Sequence, residues 1–169
     1  MKIKRGFTLI ELLIVIGILG ILAIGLIAAL DPLEQMRKAR DTSTRNAVED
    51  FYNAALRYYA IQEEFPWTVN AVTSTTLLDI TGTYVQDLID AGELKAIFTD
   101  DTSKLNKVWI TSTNPDLSDN MDDIAVCFAP ESKSIKGDDN SKYTNAGVVN
   151  AASCPTNDYS SVTCYWCVK

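Results

Sequence analysis

The 169-residue chain contains no histidine. That excludes a Ser-His-Asp or Cys-His catalytic arrangement and any histidine-ligated zinc site. The chain also lacks a Gly-rich phosphate-cradling motif, a serine or cysteine in a nucleophile signature, and any internal repeat, so an enzyme is not expected. Basic residues are scarce and unevenly placed. Met1–Gly6 takes three of the 15, leaving 12 against 22 acidic residues from Phe7 onward, a net charge near −10. Binding to nucleic acid depends on Lys and Arg neutralising phosphates, so no direct nucleic-acid partner is expected.

Cysteine is confined as well. Cys127, Cys154, Cys164 and Cys167 all lie in the last 43 residues. An even number in one region, behind an export-type N-terminus, reads as one or two disulfides formed outside the cytosol. A four-thiolate zinc site would want two close pairs, and only Cys164 and Cys167 make one. Cys164-Tyr165-Trp166-Cys167 has redox-motif spacing without a βαβ context. In a regular strand, residues three apart face opposite ways and lie ~10 Å apart, beyond the ~7 Å reach of a disulfide. Cys164 and Cys167 are therefore each expected to pair with Cys127 or Cys154 rather than with one another.

There is a single long apolar run, the 24 residues Phe7 to Leu30, in which Glu11 is the one ionisable side chain and Thr8 the one other polar residue. As a helix it would span ~36 Å, enough for a hydrocarbon core of ~30 Å. Lys2, Lys4 and Arg5 then stay cytoplasmic by the positive-inside rule, and the C-terminal body lies across the membrane. An ordinary anchor and a cleaved secretory signal are two readings of this segment. The second fits poorly, because the run is long and Ala28-Ala29-Leu30 lacks the usual cleavage spacing. Neither explains Glu11, since an acidic residue deep in a bilayer costs ~2.5–3.5 kcal/mol.

Lys4-Arg5-Gly6-Phe7-Thr8-Leu9-Ile10-Glu11 resembles the processing and assembly signature of type IV prepilins and type II secretion pseudopilins. The resemblance implies a cut after Gly6 by a prepilin peptidase, N-methylation of Phe7 by the same enzyme, and assembly of the filament through Glu11 and the Phe7 amine of a neighbouring copy. It also implies an inner-membrane assembly platform as a partner, membrane residence before assembly, and a pilus or cell-surface location afterwards. Many members carry a kinking proline where this chain has Ala28; here the proline is Pro32. Placing Phe7 and Glu11 four apart puts them on one helix face, one turn from each other.

Four segments follow: a leader (1–6), a transmembrane and filament-core helix (7–30), an amphipathic half of the same long helix (31–64) and a C-terminal body (65–169). The fold expected is α+β, the long helix packing on a small antiparallel sheet. Asp31 should N-cap a helix with Pro32 at its first position. Leu33, Met36, Val48, Phe51, Ala55, Tyr58 and Tyr59 make the apolar stripe, and Phe65-Pro66 should end it. Residues 68–82 read as a loop, and 84–92 as a short helix stopped by Gly92. Strands are expected over 107–113, 122–129 and 161–168, with 147–151 a weaker fourth.

Two loops concentrate oxygen ligands. Asp116, Asp119, Asp122 and Asp123 crowd the first, and Gly137-Asp138-Asp139-Asn140 forms the second. Calcium takes carboxylates and carbonyls from flexible loops, but neither follows EF-hand spacing, and solvated turns are the plainer reading. No other cofactor is expected. The readings left open are a pilin used in adhesion, motility or DNA uptake, a pseudopilin of a secretion machine, and an anchored binding protein that never polymerises. The cysteine-rich end favours the first, because pilins often close a C-terminal loop with a disulfide while major pseudopilins typically rely on calcium.

Overall fold

A computed structural model of the chain describes residues 7–29, 31–67, 74–112, 124–151, 153–154 and 163–169. It divides into two compact units, Met1–Met36 and Arg37–Lys169.

The first unit is dominated by α1 (Leu9–Ala29). It is apolar on every side, and its described side chains through Ile27 are all exposed. A helix hydrophobic all round has nothing to bury against in water and suits a lipid surround. Leu9–Ile27 is long and apolar enough to cross a membrane. A second helix, α2 (Pro32–Gln62), starts as the residues dictate. The Glu34 amide donates to Asp31 Oδ1 at 3.2 Å and the Gln35 amide to the Asp31 carbonyl at 3.2 Å, so the missing N–H of Pro32 costs nothing.

In the body, α2 buries Thr44, Ala47, Val48, Phe51, Ala54 and Ala55, at steps of three, one, three, three and one. Leu33 and Met36 were expected to belong to this stripe, but they are exposed; they precede the body and belong to the first unit. The helix stops at Gln62, earlier than Phe65-Pro66 requires. Glu63 turns left-handed (φ 61°) and its amide donates to the Tyr59 carbonyl at 2.8 Å, an αL cap that ends the helix first.

The sheet runs β1 (Thr75–Thr76), β2 (Val108–Ser112), β3 (Ile124–Phe128), β4 (Trp166–Val168), in that spatial order. Every neighbouring pair is antiparallel. Val108 and Ile110, with Ile124, Val126 and Phe128, join the core that also holds Val48, Phe51 and Trp166. The alternate residues Ala125 and Cys127, with Cys167, form a second cluster against Trp109, Tyr143 and Tyr165. Two-residue alternation thus assigns α2 to one face and the cysteine layer to the other. Gly147 closes that layer: its φ is +68°, and a Cβ there would collide with the Ala125 Cβ.

Several elements depart from the sequence expectation. Within 68–82, residues 68–73 lie outside the described ones, but Thr75 and Thr76 pair with Ile110 and Trp109, as β-branched residues readily do. The turn after them is held by Asp79, which accepts from the Thr76 amide and hydroxyl. The short helix begins as a π-helical turn (Thr81–Val85) and continues as α3 (Gln86–Asp90). Gly92 (φ +79°) stops it in a Schellman cap, with Glu93 N–H on the Leu88 carbonyl and Gly92 N–H on the Ile89 carbonyl, both 2.9 Å. A 3-10 segment (Ala96–Asp100), α4 (Thr102–Leu105) and α5 (Lys133–Lys136) were not anticipated; each is a single turn or little more, too short for periodicity to reveal. Residues 147–151 form no strand and contribute one bridge, Val149 to Tyr143. Of 161–168, Trp166–Val168 is strand, while Thr163 and Cys164 are not.

Candidate processing and assembly site

The first turn of α1 is closed by its own side chains. Thr8 is the N-cap and Glu11 stands three residues on. The Thr8 amide donates to Glu11 Oε2 at 2.9 Å and the Thr8 hydroxyl to the same oxygen at 2.7 Å. In return the Glu11 amide donates to Thr8 Oγ1 at 3.3 Å. This is a capping box, which satisfies backbone donors that a helix start leaves without partners. The spelling Thr-x-x-Glu before an apolar run was the available signal for it; weighing Glu11 only against the bilayer passes over it.

Phe7 lies before the N-cap, outside the helix and 82% exposed. The expectation that it shares a helix face with Glu11 is therefore corrected, because the helix begins two residues later than that spacing assumed. The carboxylate instead folds back over the helix start, onto the residue next to Phe7. Both Thr8 donors use Oε2, and an ionised carboxylate has about four lone-pair sites, so the box leaves capacity for a further donor. Gly6 lies outside the described residues.

The cysteines form two bridges. Cys127–Cys167 joins β3 to β4 at directly opposed positions, Cα atoms 4.1 Å apart, and Cys154–Cys164 spans 5.8 Å. No cysteine is left free. Cys127 and Cys167 meet because both fall on the face turned from α2. Loop closure over separations of 40 and 10 residues predicts that Cys127→Ser/Cys167→Ser costs about 4 kcal/mol and Cys154→Ser/Cys164→Ser about 3 kcal/mol. Denaturant unfolding with and without reductant checks the order, and non-reducing peptide mapping that shows free thiols or a Cys164–Cys167 peptide would contradict the pairing.

Asp116, Asp119, Asp122 and Asp123 lie outside the described residues. In the other acidic loop Asp138 Oδ1 accepts the Asn140 amide at 2.8 Å, an Asx turn after α5. Among the described residues no three His, Cys, Asp or Glu side chains converge as metal ligands.

One residue important to the body was missed altogether. Asp41, on α2, is buried and accepts from the Glu131 and Ser132 amides at 3.0 and 2.7 Å and from the Ser132 hydroxyl at 2.6 Å. Ser132 in turn caps α5. Asp41 sits among Arg37, Lys38, Arg40 and Arg45 and reads as one more surface charge; its partners are 90 residues away.

A family model of the prokaryotic N-terminal methylation motif matches residues 1–27. No curated protein and no solved structure matches the chain. The matched stretch holds Gly6, Phe7, Thr8, Glu11 and most of α1, so the N-terminal segment carries the type IV pilin and pseudopilin signature. With the membrane-length helix, it fits a membrane-anchored protein.

Proposed function

We propose that the chain is the precursor of a structural subunit of a type IV pilus-like filament, cut between Gly6 and Phe7 and polymerised through α1. The carrying observation is Glu11 held at the start of an apolar helix whose described side chains are all exposed, inside the segment that matches the methylation motif. A prepilin peptidase cleaves the leader and methylates the Phe7 amine while α1 holds the subunit in the inner membrane, with the body outside. The assembly platform then moves the subunit into a filament of like chains. There α1 exchanges lipid for neighbouring helices, and the positive amine of one copy meets the Glu11 of the next. Each charge alone is expensive in a low-dielectric surround, and the pair neutralises both. Thr8 keeps the carboxylate aimed during the exchange. The role is structural rather than catalytic.

Two disulfides in the body support the pilin reading over the pseudopilin one. The N-terminal mass of the membrane-bound protein tests the processing: a chain starting at methylated Phe7 is expected. A chain that keeps Met1, or that starts near Asp31, would overturn the proposal.

A further inference from the structure

Charge in the body is sorted by position along α2. The axis from Arg37 to Glu63 covers about 26 residues, or ~39 Å. Hydrogen bonds fix which loops lie at which end. Arg40 and Lys107 both bind Glu131, at 3.3 and 2.7 Å, and Asp41 holds Glu131 and Ser132, so residues 129–136 belong to the end where α2 enters the body. At the opposite end Arg57 Nε binds Glu93 at 2.8 Å and the Arg57 guanidinium also donates to the Glu93 carbonyl, which ties the close of α3 to the last turns of α2.

The entering end carries a groove of about 700 Å³ whose lining includes Arg37, Lys107, Lys136 and Trp109, with Glu131 the one carboxylate among the described residues that line it. The Lys107 hydrogen bond, helped by the charges of Lys107, Arg40 and Arg37, holds Glu131 below the usual glutamate range. The described residues of the groove stay net positive in a chain of net charge −7. The far end presents Glu63, Glu64, Asp87 and Asp90, all exposed.

Opposite charges at opposite ends suit head-to-tail self-association. A two-fold contact through either end alone would set like charges together. A heterologous head-to-tail contact pairs unlike surfaces, and when its rotation does not close it yields an open filament. We propose that the basic groove receives the acidic end of a second copy of this chain, so that the bodies as well as the α1 helices set the order of subunits along the filament. This rests on the filament reading above.

The test uses the full chain in cells that assemble it, with filaments sheared from the surface and quantified. Arg37→Glu/Lys136→Glu and Glu63→Lys/Glu64→Lys should each lower filament yield about tenfold, as exposed charge pairs turned repulsive allow. Combining all four substitutions restores the complementarity and should return the yield to within about twofold of wild type. Misfolding of either half variant would not be repaired by further substitutions at the other end. Wild-type filaments should also dissociate more readily as salt rises, and the combined variant likewise. Unchanged yield in both half variants, a combined variant no better than its halves, or filaments indifferent to salt would overturn the proposal. So would normal yield together with lost binding to phosphatidylglycerol vesicles in the groove variant, which would make the groove a lipid-facing surface. If the wild-type chain forms no filament at all, the underlying functional reading falls and takes this contact with it; a failure confined to the charge variants leaves that reading standing.

Discussion

Replacing Glu11 by leucine is expected to leave membrane insertion and Gly6–Phe7 cleavage intact while lowering filament yield at least about tenfold. Insertion should not suffer, because the change removes a carboxylate from an apolar helix; at the bilayer centre that group costs ~2.5–3.5 kcal/mol, and less one turn from the end. The helix should also survive. Thr8 Oγ1 still accepts the amide at position 11, and α1 keeps the rest of its 21 residues. Two things are lost: the acceptor of the Thr8 donors and the negative charge for a neighbour's Phe7 amine. Glu11→Gln separates them, since its amide oxygen can still accept from Thr8 but carries no charge. The account expects Gln to assemble as poorly as Leu. Full assembly by the Gln variant would make Glu11 a helix cap only, and wild-type yield from the Leu variant would remove any assembly role. Subunit levels in membranes and in sheared filaments, measured in parallel, decide between these outcomes.

The second large effect is expected at Asp41. Asp41→Ala leaves the Glu131 amide, the Ser132 amide and the Ser132 hydroxyl without their acceptor, in a place where Ser132 is fully buried. An orphaned buried donor costs ~1–3 kcal/mol, so the loss should total about 3–5 kcal/mol, with Asp41→Asn about 2 kcal/mol because its amide oxygen restores part of the set. A shift of the denaturant midpoint at unchanged slope is the readout. A cost under about 1 kcal/mol would mean that the sheet and α5, not this carboxylate, hold the 129–132 segment. The effect lies in the body alone, so membrane insertion and Gly6–Phe7 cleavage, which precede assembly, should proceed in the Asp41 variants.

What the sequence made legible follows from how far each signal reaches. The apolar run, the Asp31-Pro32 start and the apolar, β-branched-rich runs Val108–Ser112 and Ile124–Phe128 are local patterns, and each appears as an element of the α+β fold. The cysteine layer was half legible: alternation places Cys127 and Cys167 on one face, but only the register β3 to β4 sets them opposite. Asp41 was illegible because its role depends on a segment some 90 residues distant and its neighbours in sequence disguise it. β1 has only two residues, and its pairing with β2, not its own pattern, makes it a strand. At the N-terminus, reading Glu11 as an unexplained cost pointed to a partner, while the Thr8 box that already holds it went unnoticed.

The central claim is that this chain is a filament subunit built through its N-terminal helix. Electron microscopy of sheared surface material, with mass spectrometry of the same sample, tests it most directly. The account predicts thin filaments whose protein includes this chain, beginning at methylated Phe7 and carrying both disulfides. Recovery of the chain only from membranes, absent from every sheared filament, would contradict it and leave an anchored protein that does not polymerise.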